Sequence, residues 1–306
     1  MNLDTLPKEV LHELFLLEQQ KQKLDTREKA EKDFLAYALH VYENFIVGRH
    51  HKIIAKKLEA IAEGNLKRLI INMPPRHSKS ELASYLMPSW FLGRNPKLKI
   101  IQATMNTELA VRFGRKVRDL IADPIYGEIF PNTDLKQDSQ AAGRWETSAG
   151  GEYFAAGVGA AMTGRGADLL IIDDPHSEQD ALSDKKMEDA YEWYTSGPRQ
   201  RLQPGGSIVV VMTRWSTKDL TGRLLAKQTG EKADQWDVVE FPAIIDEKPM
   251  WPEYWNIEEL EGVKASVSEQ KWQAQYQQNP VGDEGAIIKR EWWRVWPKEE
   301  IPPLTH

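Results

Sequence analysis

A lysine–serine pair, Lys79-Ser80, follows an apolar run at residues 69–71 after one short loop and opens a segment with helical spacing. This order of strand, loop, Lys-Ser and helix is that of a phosphate-binding loop, in which the lysine neutralises phosphate charge and the hydroxyl binds Mg²⁺. The sequence departs from the pattern G-x-x-x-x-G-K-[ST], because Met73 and Ser78 stand at the two glycine positions. The loop therefore predicts a nucleotide site only together with further residues.

Every position of this loop is a candidate for contact with a nucleotide. Pro74-Pro75 fix φ and would hold the loop rigid where glycines normally let it curve. Arg76 adds a second cation near the phosphates and is also a candidate catalytic residue. The helix that starts at the loop offers free N–H groups to an anion. The predicted nucleotide-binding residues are Pro74, Pro75, Arg76, His77, Ser78, Lys79, Ser80 and Glu81.

Two aspartates, Asp173 and Asp174, follow a second apolar run at residues 169–172. A carboxylate at the tip of a buried strand is costly unless a cation meets it there. We therefore predict that Asp173 holds Mg²⁺ together with Ser80, and that Asp174 orients or deprotonates the attacking water. The alternative is an acidic helix cap, since Asp-Pro is common after strands. The upstream Lys-Ser pair favours the metal.

Three further side chains are candidates for catalysis. Thr213 and Arg214 follow the apolar run 207–212; Thr213 would contact the attacking water or the phosphate, and Arg214 would sense hydrolysis. Arg165 lies between two glycines, as an arginine finger requires, and it would act either within its own subunit or on a neighbour. The alternative for Arg165 is a surface arginine in a plain loop.

Other chemistries find little support. The chain has no cysteine, which excludes disulfides, thiolate metal sites and cysteine nucleophiles. His77 and the pair His50-His51 are predicted to be structural or base-stacking, because no zinc-like spacing of ligands accompanies them. There is no G-x-S-x-G sequence, so a Ser-His-Asp hydrolase is not supported.

Apolar runs alternate with helical spacing over most of the chain. Strands that are apolar on both faces and alternate with helices predict an α/β fold, with a mostly parallel central sheet flanked by helices. Ligands in such sheets bind beyond the carboxyl ends of the strands, where the candidate residues fall. The predicted helices are 5–22, 26–41, 51–62, 80–92, 107–121, 184–195 and 219–227; the predicted strands are 68–73, 99–104, 169–172, 207–212 and 238–241, with a hairpin across 145–156.

Composition divides the chain into three parts. We expect residues 1–64 to be a helical N-terminal extension, 65–242 to be a P-loop core, and 243–306 to be a small lid or linker. Nine of the eleven tryptophans lie between Trp193 and Trp296. We therefore expect the last part to pack against the rest of the protein or to dock on another surface.

The net charge of −6 argues against a protein coated in nucleic acid but does not exclude a local basic track. Two clusters of lysines and arginines, listed at the end of this paragraph, could form such a track, and solvated helix faces are the alternative interpretation of them. No window approaches the roughly 18 apolar residues of a membrane span, and no signal peptide begins the chain, which predicts a cytoplasmic protein. The two clusters are Lys52, Lys56, Lys57, Lys67 and Arg68, then Arg112, Arg115, Lys116 and Arg118.

With these residues the chain resembles the large subunit of the terminase of tailed bacteriophages, the DNA-packaging motor. The matching pieces are, in order, 73–81, 163–175, 213–215 and 273–280, and the resemblance covers about residues 40–296. The glycine-poor phosphate loop of that family accounts for the departure from the standard pattern. Residues 273–280 look like the segment that joins the motor to the next domain.

The resemblance implies a P-loop NTPase that binds ATP and Mg²⁺ and moves double-stranded DNA into a procapsid in the host cytoplasm. Its partners would be double-stranded DNA, the portal protein and the small terminase subunit, with no membrane. It also implies a ring of five chains on the portal and a monomer in isolation. The chain stops at His306, where the nuclease domain of the family would begin, so nuclease activity is not expected of it.

Two other functions stay open at this point. A helicase-like ATPase acting on free nucleic acid would unwind a short duplex without any capsid component. An inactive nucleotide-binding adaptor would dock through its tryptophan-rich C-terminal part and bind ATP without turnover.

Overall fold

Eight strands form the central sheet of the computed structural model, which describes residues 8–230 and 232–281. The strands are β1 Arg68–Asn72, β2 Lys99–Thr104, β3 Leu135–Ala141, β4 Arg144–Thr147, β5 Glu152–Gly157, β6 Ala167–Asp173, β7 Leu202–Met212 and β8 Asp237–Glu240. Their order across the sheet is β3-β4-β5-β2-β6-β7-β1-β8. All neighbours from β5 to β8 pair in parallel, whereas β3–β4 and β4–β5 are antiparallel.

The strands form because their apolar side chains fill both faces of the sheet. Successive side chains of a strand point to opposite faces, so Ile71 and Val211 enter one apolar cluster while Ile70 and Val210 enter the other. All four are at most 1% exposed. Full burial of such a side chain stabilises the fold by about 1.5–3 kcal/mol, and the two-sided cover of helices follows from this pattern.

Helices cover both faces of the sheet. Their bounds are α1 Lys8–Lys32, α2 Phe34–Val41, α3 Arg49–Ala62, α4 Met87–Arg94, α5 Thr107–Ile121, α6 Pro124–Ile129, α7 Asp184–Ser196, α8 Leu220–Ala226, α9 Ile257–Ser266 and α10 Glu269–Lys271. Buried residues of α2 to α6 share the cluster of Ile71, and buried residues of α7 and α8 share that of Ile70. The predicted α/β class, with a mostly parallel sheet flanked by helices, is confirmed.

The carboxyl ends of four neighbouring strands are in register. Thr104 of β2 is opposite Asp173 of β6, Asp173 is opposite Val211 of β7, and Met212 is opposite Asn72 of β1. The residues that follow these strands therefore emerge side by side. This register builds the candidate site.

One local prediction was wrong, and one strand was not predicted. A helix starting at Thr26 was expected, but α1 continues through this residue, whose hydroxyl donates to the Gln22 carbonyl at 2.8 Å. The helix break comes at Asp33, which caps α2 by accepting from the Ala36 N–H at 2.8 Å. β3 was also missed, because its residues are mostly exposed and polar and so give no apolar pattern.

The C-terminal region is described as far as residue 281. There β9 Ile244–Ile245 and β10 Lys248–Pro249 form a two-stranded sheet, and a small apolar cluster joins Ala243, Leu260 and Trp272. The predicted tryptophan-rich end, with Trp292, Trp293 and Trp296, lies outside the described residues. Among the helices that the structure describes, none combines the length and hydropathy needed to cross a membrane.

Candidate nucleotide-binding site

The loop after β1 is held in a conformation that glycines usually adopt. Ser78 has φ 67° and Arg76 has φ 62°, both in the left-handed region. A non-glycine residue there costs about 1–2 kcal/mol, and such strain is often found where a backbone approaches a ligand. Ser78, which stands at the second glycine position of the standard pattern, thus supplies the left-handed backbone geometry that a glycine provides at no steric cost.

The loop ends in a helix that begins with a π-helical turn, Glu81–Leu86, and continues as α4. Pro88 lies one turn later and has no N–H to donate back to the Ser84 carbonyl, which accounts for the irregular turn. Such turns are frequent at functional sites.

Lys79 and Asp174 form an ion pair across the site. The Lys79 Nζ lies 2.9 Å from Asp174 Oδ2, with side-chain exposures of 8% and 29%. Asp174 itself has φ 41°, so the acid is held in a strained backbone conformation. The predicted phosphate-binding lysine and the predicted water-orienting acid are therefore neighbours.

Two serines one helical turn apart bind the carboxylate of Asp173. The Ser80 hydroxyl donates to Oδ1 at 3.0 Å, and the Ser84 hydroxyl donates to Oδ2 at 2.7 Å. Asp173 is 2% exposed. Burial, and then repulsion by Asp174, raise the pKa of Asp173 to about 7, although Lys79 opposes the shift. A buried carboxylate of this kind gains from a nearby cation.

Thr213, the first residue after β7, forms hydrogen bonds both to Asp174 after β6 and to the loop after β1. Its backbone N–H donates to Asp174 Oδ1 at 2.8 Å, and its hydroxyl donates to the Met73 carbonyl at 3.1 Å. Asp174 thus has Lys79 on one oxygen and the Thr213 amide on the other. The structure brings Thr213 to the site, as its position after a strand predicted.

Arg214 lies next to Thr213, but its side chain is engaged elsewhere. Its Nε lies 3.0 Å from Asp219 Oδ2, and its Nη1 lies 3.4 Å from Glu240 Oε1. Asp219 is fully buried and caps α8 by accepting from the Gly222 N–H at 2.9 Å. In this arrangement the guanidinium of Arg214 braces the edge formed by β7, β8 and α8 and is not offered to a phosphate.

Arg165 is not brought to the site. It precedes β6, and its guanidinium pairs with Glu152 at the amino end of β5 and covers the Phe154 ring at 3.9 Å. Lys79 and Asp174 lie at the carboxyl ends of the same parallel strands. Six residues of strand span about 20 Å, so Arg165 cannot reach a phosphate bound in its own chain. Action on a neighbouring chain stays a prediction.

Arg76 and Glu81 lie on the rim of a cavity of about 410 Å³ beside the loop. Arg76 is exposed, whereas both oxygens of Glu81 accept from Lys116 on α5, at 3.0 and 2.9 Å. Aromatic side chains from before β1 and after β8 form the remaining wall. Among the residues that line this cavity are Tyr42, Phe45, Ser78, Lys79, Ser80, Trp251 and Tyr254.

Three histidines form a buried cluster behind the loop. His77 stacks on Trp255, with ring centroids 5.7 Å apart, and its Nδ1 contacts the Pro75 carbonyl at 2.8 Å. His50 and His51 of α3 pack against Trp251. Burial lowers the pKa of His50 to about 3 and of His51 and His77 to about 4. Within the described residues no three His, Asp or Glu side chains are grouped to hold a metal.

Four residues of the site were missed from the sequence. Ser84 follows Ser80 by one helical turn, and this spacing could have predicted that both hydroxyls face the same carboxylate. Tyr42 and Tyr254 come from segments remote in sequence that no local pattern marks, whereas Gln278 lies in the segment 273–280, which was given only a linking role. The tertiary structure places the two tyrosines beside the loop and Gln278 against the backbone after β7.

The comparison with protein families identifies the chain. The model of the terminase large subunit, T4-like-virus type, N-terminal family matches residues 70–295, which is well over half of the 306 residues. The chain belongs to this family. The family assignment predicted from the four motifs is confirmed. No curated protein matches the chain significantly.

Solved large terminases are among the structures similar to the chain. The ATPase domain of the large terminase of Thermus phage P74-26 has 16% identity and a TM-score of 0.49, over 73% of this chain and 92% of that one. The large terminase of bacteriophage HK97 has 12% identity and a TM-score of 0.49, over 73% of this chain and 50% of that one. The large terminase of a thermophilic bacteriophage, solved with ATP-gamma-S, has 9% identity and a TM-score of 0.43, over 71% and 50%. The match therefore spans about half the length of the latter two proteins.

Proposed function

We propose that the chain is the ATP-hydrolysing motor part of a terminase large subunit, which moves double-stranded viral DNA into a procapsid. Family membership supports this proposal, and one observation carries it. At the start of one helix, the Ser80 hydroxyl donates to Asp173 Oδ1 at 3.0 Å and the Lys79 Nζ lies 2.9 Å from Asp174 Oδ2. A lysine, a hydroxyl and two acids in this order are the parts that Mg·ATP hydrolysis requires. The proposal includes the portal protein, the small terminase subunit and DNA as partners, a ring of five chains, and action in the host cytoplasm.

The residues at the site fit a magnesium ion. Mg²⁺ prefers oxygen ligands and is usually bound by one or two protein groups plus substrate phosphates. The Ser80 hydroxyl and the Asp173 carboxylate would hold it, since among the described residues the Asp173 oxygens accept from two serine hydroxyls and form no ion pair. When bound, the ion neutralises charge that develops on the phosphates.

The side chains of the loop would bind and orient the triphosphate. Lys79 pairs with Asp174, and phosphate binding would exchange this partner for phosphate oxygens. Asp174 would then have a free oxygen with which to orient the attacking water, while the Thr213 amide keeps its other oxygen in place. Exposed Arg76 would contact the phosphates from within the loop.

The cavity beside the loop would take the nucleoside. Tyr42 and Phe45 on one side and Tyr254 on the other offer aromatic surface next to the phosphate loop. Aromatic side chains are suited to stacking on a base. We also propose that residues 1–64 act as a helical extension and that residues 243–306 act as a lid or linker, since Tyr254 and Trp251 close this cavity from the C-terminal side.

The replacement Lys79→Ala tests the assignment. We expect ATP turnover to fall by at least about a hundredfold, because a preorganised cation is lost from the developing phosphate charge. The matched control is Lys97→Ala, which removes an exposed lysine remote from the loop and should leave turnover unchanged. Turnover is measured by phosphate release with and without EDTA, and thermal unfolding checks the fold. Retained turnover in a folded Lys79→Ala variant would refute the proposed function.

A further inference from the structure

Gln278 is buried although it lies in the polar segment 273–279. It is 3% exposed, and both ends of its amide have partners. Its Oε1 accepts from the Arg214 N–H at 3.2 Å, and its Nε2 donates to the Gln275 carbonyl at 2.5 Å. Its backbone has φ 56°, which is common for the residue that follows a helix C-cap, and the Asn279 N–H closes this cap on the Gln273 carbonyl. The buried side-chain amide, with a hydrogen-bond partner at each end, is the feature that indicates a specific role.

The amide that Gln278 binds is adjacent to the one that holds the water-orienting acid. The Thr213 N–H donates to Asp174 Oδ1, and the next amide along the chain, that of Arg214, donates to Gln278. Both amides lie just beyond β7, where no further sheet pairing fixes the backbone. Thr213 is held by its own hydroxyl, which donates to the Met73 carbonyl, and by the anchored Arg214 amide that follows it, so loss of the Gln278 bond removes one of these two restraints on its N–H.

Gln278 lines neither of the two cavities that border Lys79. The second cavity, of about 540 Å³, lies on the other side of Lys79 from the one beside the loop and is lined by Asp174, Thr213 and Gln275, among others. Loss of Gln278 should therefore leave nucleotide binding in place and disturb only the alignment of Asp174.

We propose that Gln278 is a positioning residue for ATP hydrolysis: it anchors the backbone after β7 and so fixes the Thr213 amide that orients Asp174. This inference rests on the proposed function, because it assigns Asp174 to the attacking water. It makes the segment 273–279 part of the ATPase unit, in addition to any linking role.

The test compares Gln278→Met with Gln277→Met. Methionine keeps the length of the side chain but can accept or donate no comparable hydrogen bond, and Gln277 is a neighbouring glutamine for which the structure shows no side-chain hydrogen bond among the described residues. We expect Gln278→Met to lower kcat about three- to tenfold with KM for ATP within twofold, because the interaction acts on the transition state alone. Gln277→Met should match the wild type in both.

Two more variants separate positioning from folding. Gln278→Glu keeps an acceptor for the Arg214 amide, and its kcat should lie well above that of Gln278→Met. If Gln278→Met does not fold, Gln278→Asn replaces it: asparagine tolerates a positive φ but is one carbon too short, and it should show the same loss of kcat. Binding of a non-hydrolysable ATP analogue should be unchanged throughout.

The outcomes separate the two proposals. Wild-type protein without ATP turnover refutes the proposed function and this inference with it. Wild-type turnover matched by folded Gln278→Met or Gln278→Asn refutes only the inference. A loss of kcat that appears equally in Gln277→Met, or that comes with an equal loss of analogue binding, also refutes it.

Discussion

At the scale of single residues, the site depends on positions that violate ordinary preferences. Seven non-glycine residues of the described chain have positive φ, and among them are Arg76, Ser78, Asp174 and Gln278. These four surround the carboxyl ends of β1, β6 and β7. Because a positive φ costs free energy for most residues other than glycine, the concentration of these positions at one place supports the proposal that it is the functional site.

Ser84 provides a residue-scale prediction. We expect Ser84→Ala to raise the Mg²⁺ concentration for half-maximal ATP turnover about tenfold, since the hydroxyl orients a carboxylate predicted to bind the metal and such supporting groups typically contribute this much. The measurement is phosphate release against Mg²⁺ concentration at saturating ATP. Ser89→Ala is the control, because this buried serine on the same helix donates to the Leu86 carbonyl, remote from Asp173. An unchanged Mg²⁺ requirement would contradict a role of the Ser84 hydroxyl in metal binding.

At the scale of elements, the parallel strands decide which residues meet. Lys79, Asp174 and Thr213 follow β1, β6 and β7, whose carboxyl ends are in register, and so they lie together. Arg165 precedes β6, and the same geometry places it at the opposite edge. A residue before a parallel strand and one after it are separated by the whole strand, whatever their types.

Arg165→Ala provides the element-scale prediction. At low protein concentration we expect unchanged turnover per folded chain and a loss of stability of about 1–2 kcal/mol, because the ion pair with Glu152 and the contact with Phe154 are removed. Urea unfolding and phosphate release measure the two effects. Turnover should then be followed as the protein concentration rises. A defect that appears only at high concentration would assign Arg165 to a neighbouring chain, and a defect at every concentration would contradict the placement described above.

At the scale of the whole molecule, the cluster of His50, His51 and His77 joins three regions. α3, the phosphate loop and the C-terminal segment meet there through Trp251 and Trp255. The apolar residues of α2 and α3 also belong to the same cluster as one face of the sheet. Helices α2 and α3 are thus packed as part of the core, whereas most of α1 is exposed.

The histidine cluster predicts acid sensitivity. The folded-state pKa values, about 3 to 4, lie below the ordinary value of 6.5, so the unfolded chain binds more protons and stability falls as the pH drops from about 6.5 towards 4. Each histidine contributes about 1.4 kcal/mol per pH unit in this window. Asp173, whose pKa is raised, binds more protons in the folded chain than in the unfolded chain over this pH range. It therefore offsets the contribution of about one of the three histidines to the pH dependence of stability.

The variant His50→Phe isolates one of these contributions. It keeps an aromatic ring beside Trp251 but removes a titrating group, so the slope of unfolding free energy against pH should become shallower by about 1.4 kcal/mol per pH unit. Urea titrations between pH 7 and 4.5 give the slope for both proteins. Identical slopes would mean that His50 titrates normally in the folded chain.

The sequence by itself determined the fold class, most of the strands and the candidate loop. Runs such as 169–172 and 207–212 are apolar on both faces, and only a covered parallel sheet satisfies them. It also predicted that Lys79 and Ser80 open the helix after the loop and that Asp173 and Asp174 lie at the end of β6, because the order of residues along the chain decides whether a residue precedes or follows a strand. It misjudged α1 and missed β3, whose boundaries depend on packing and on strand pairing instead of local pattern.

Only the tertiary structure decided the remaining contacts. Whether Arg214 faces a phosphate or Asp219 depends on how α8 packs beside β7, and whether Arg165 reaches the site depends on the direction of the strands in the sheet. Whether Gln278 is near the site depends on a contact with Arg214 that joins positions more than sixty apart in sequence. A single sequence carries no signal for such pairings, since each partner alone resembles an ordinary surface residue. The physical reason is that long-range contacts are set by how the elements pack, and that packing becomes defined only when the whole core is assembled.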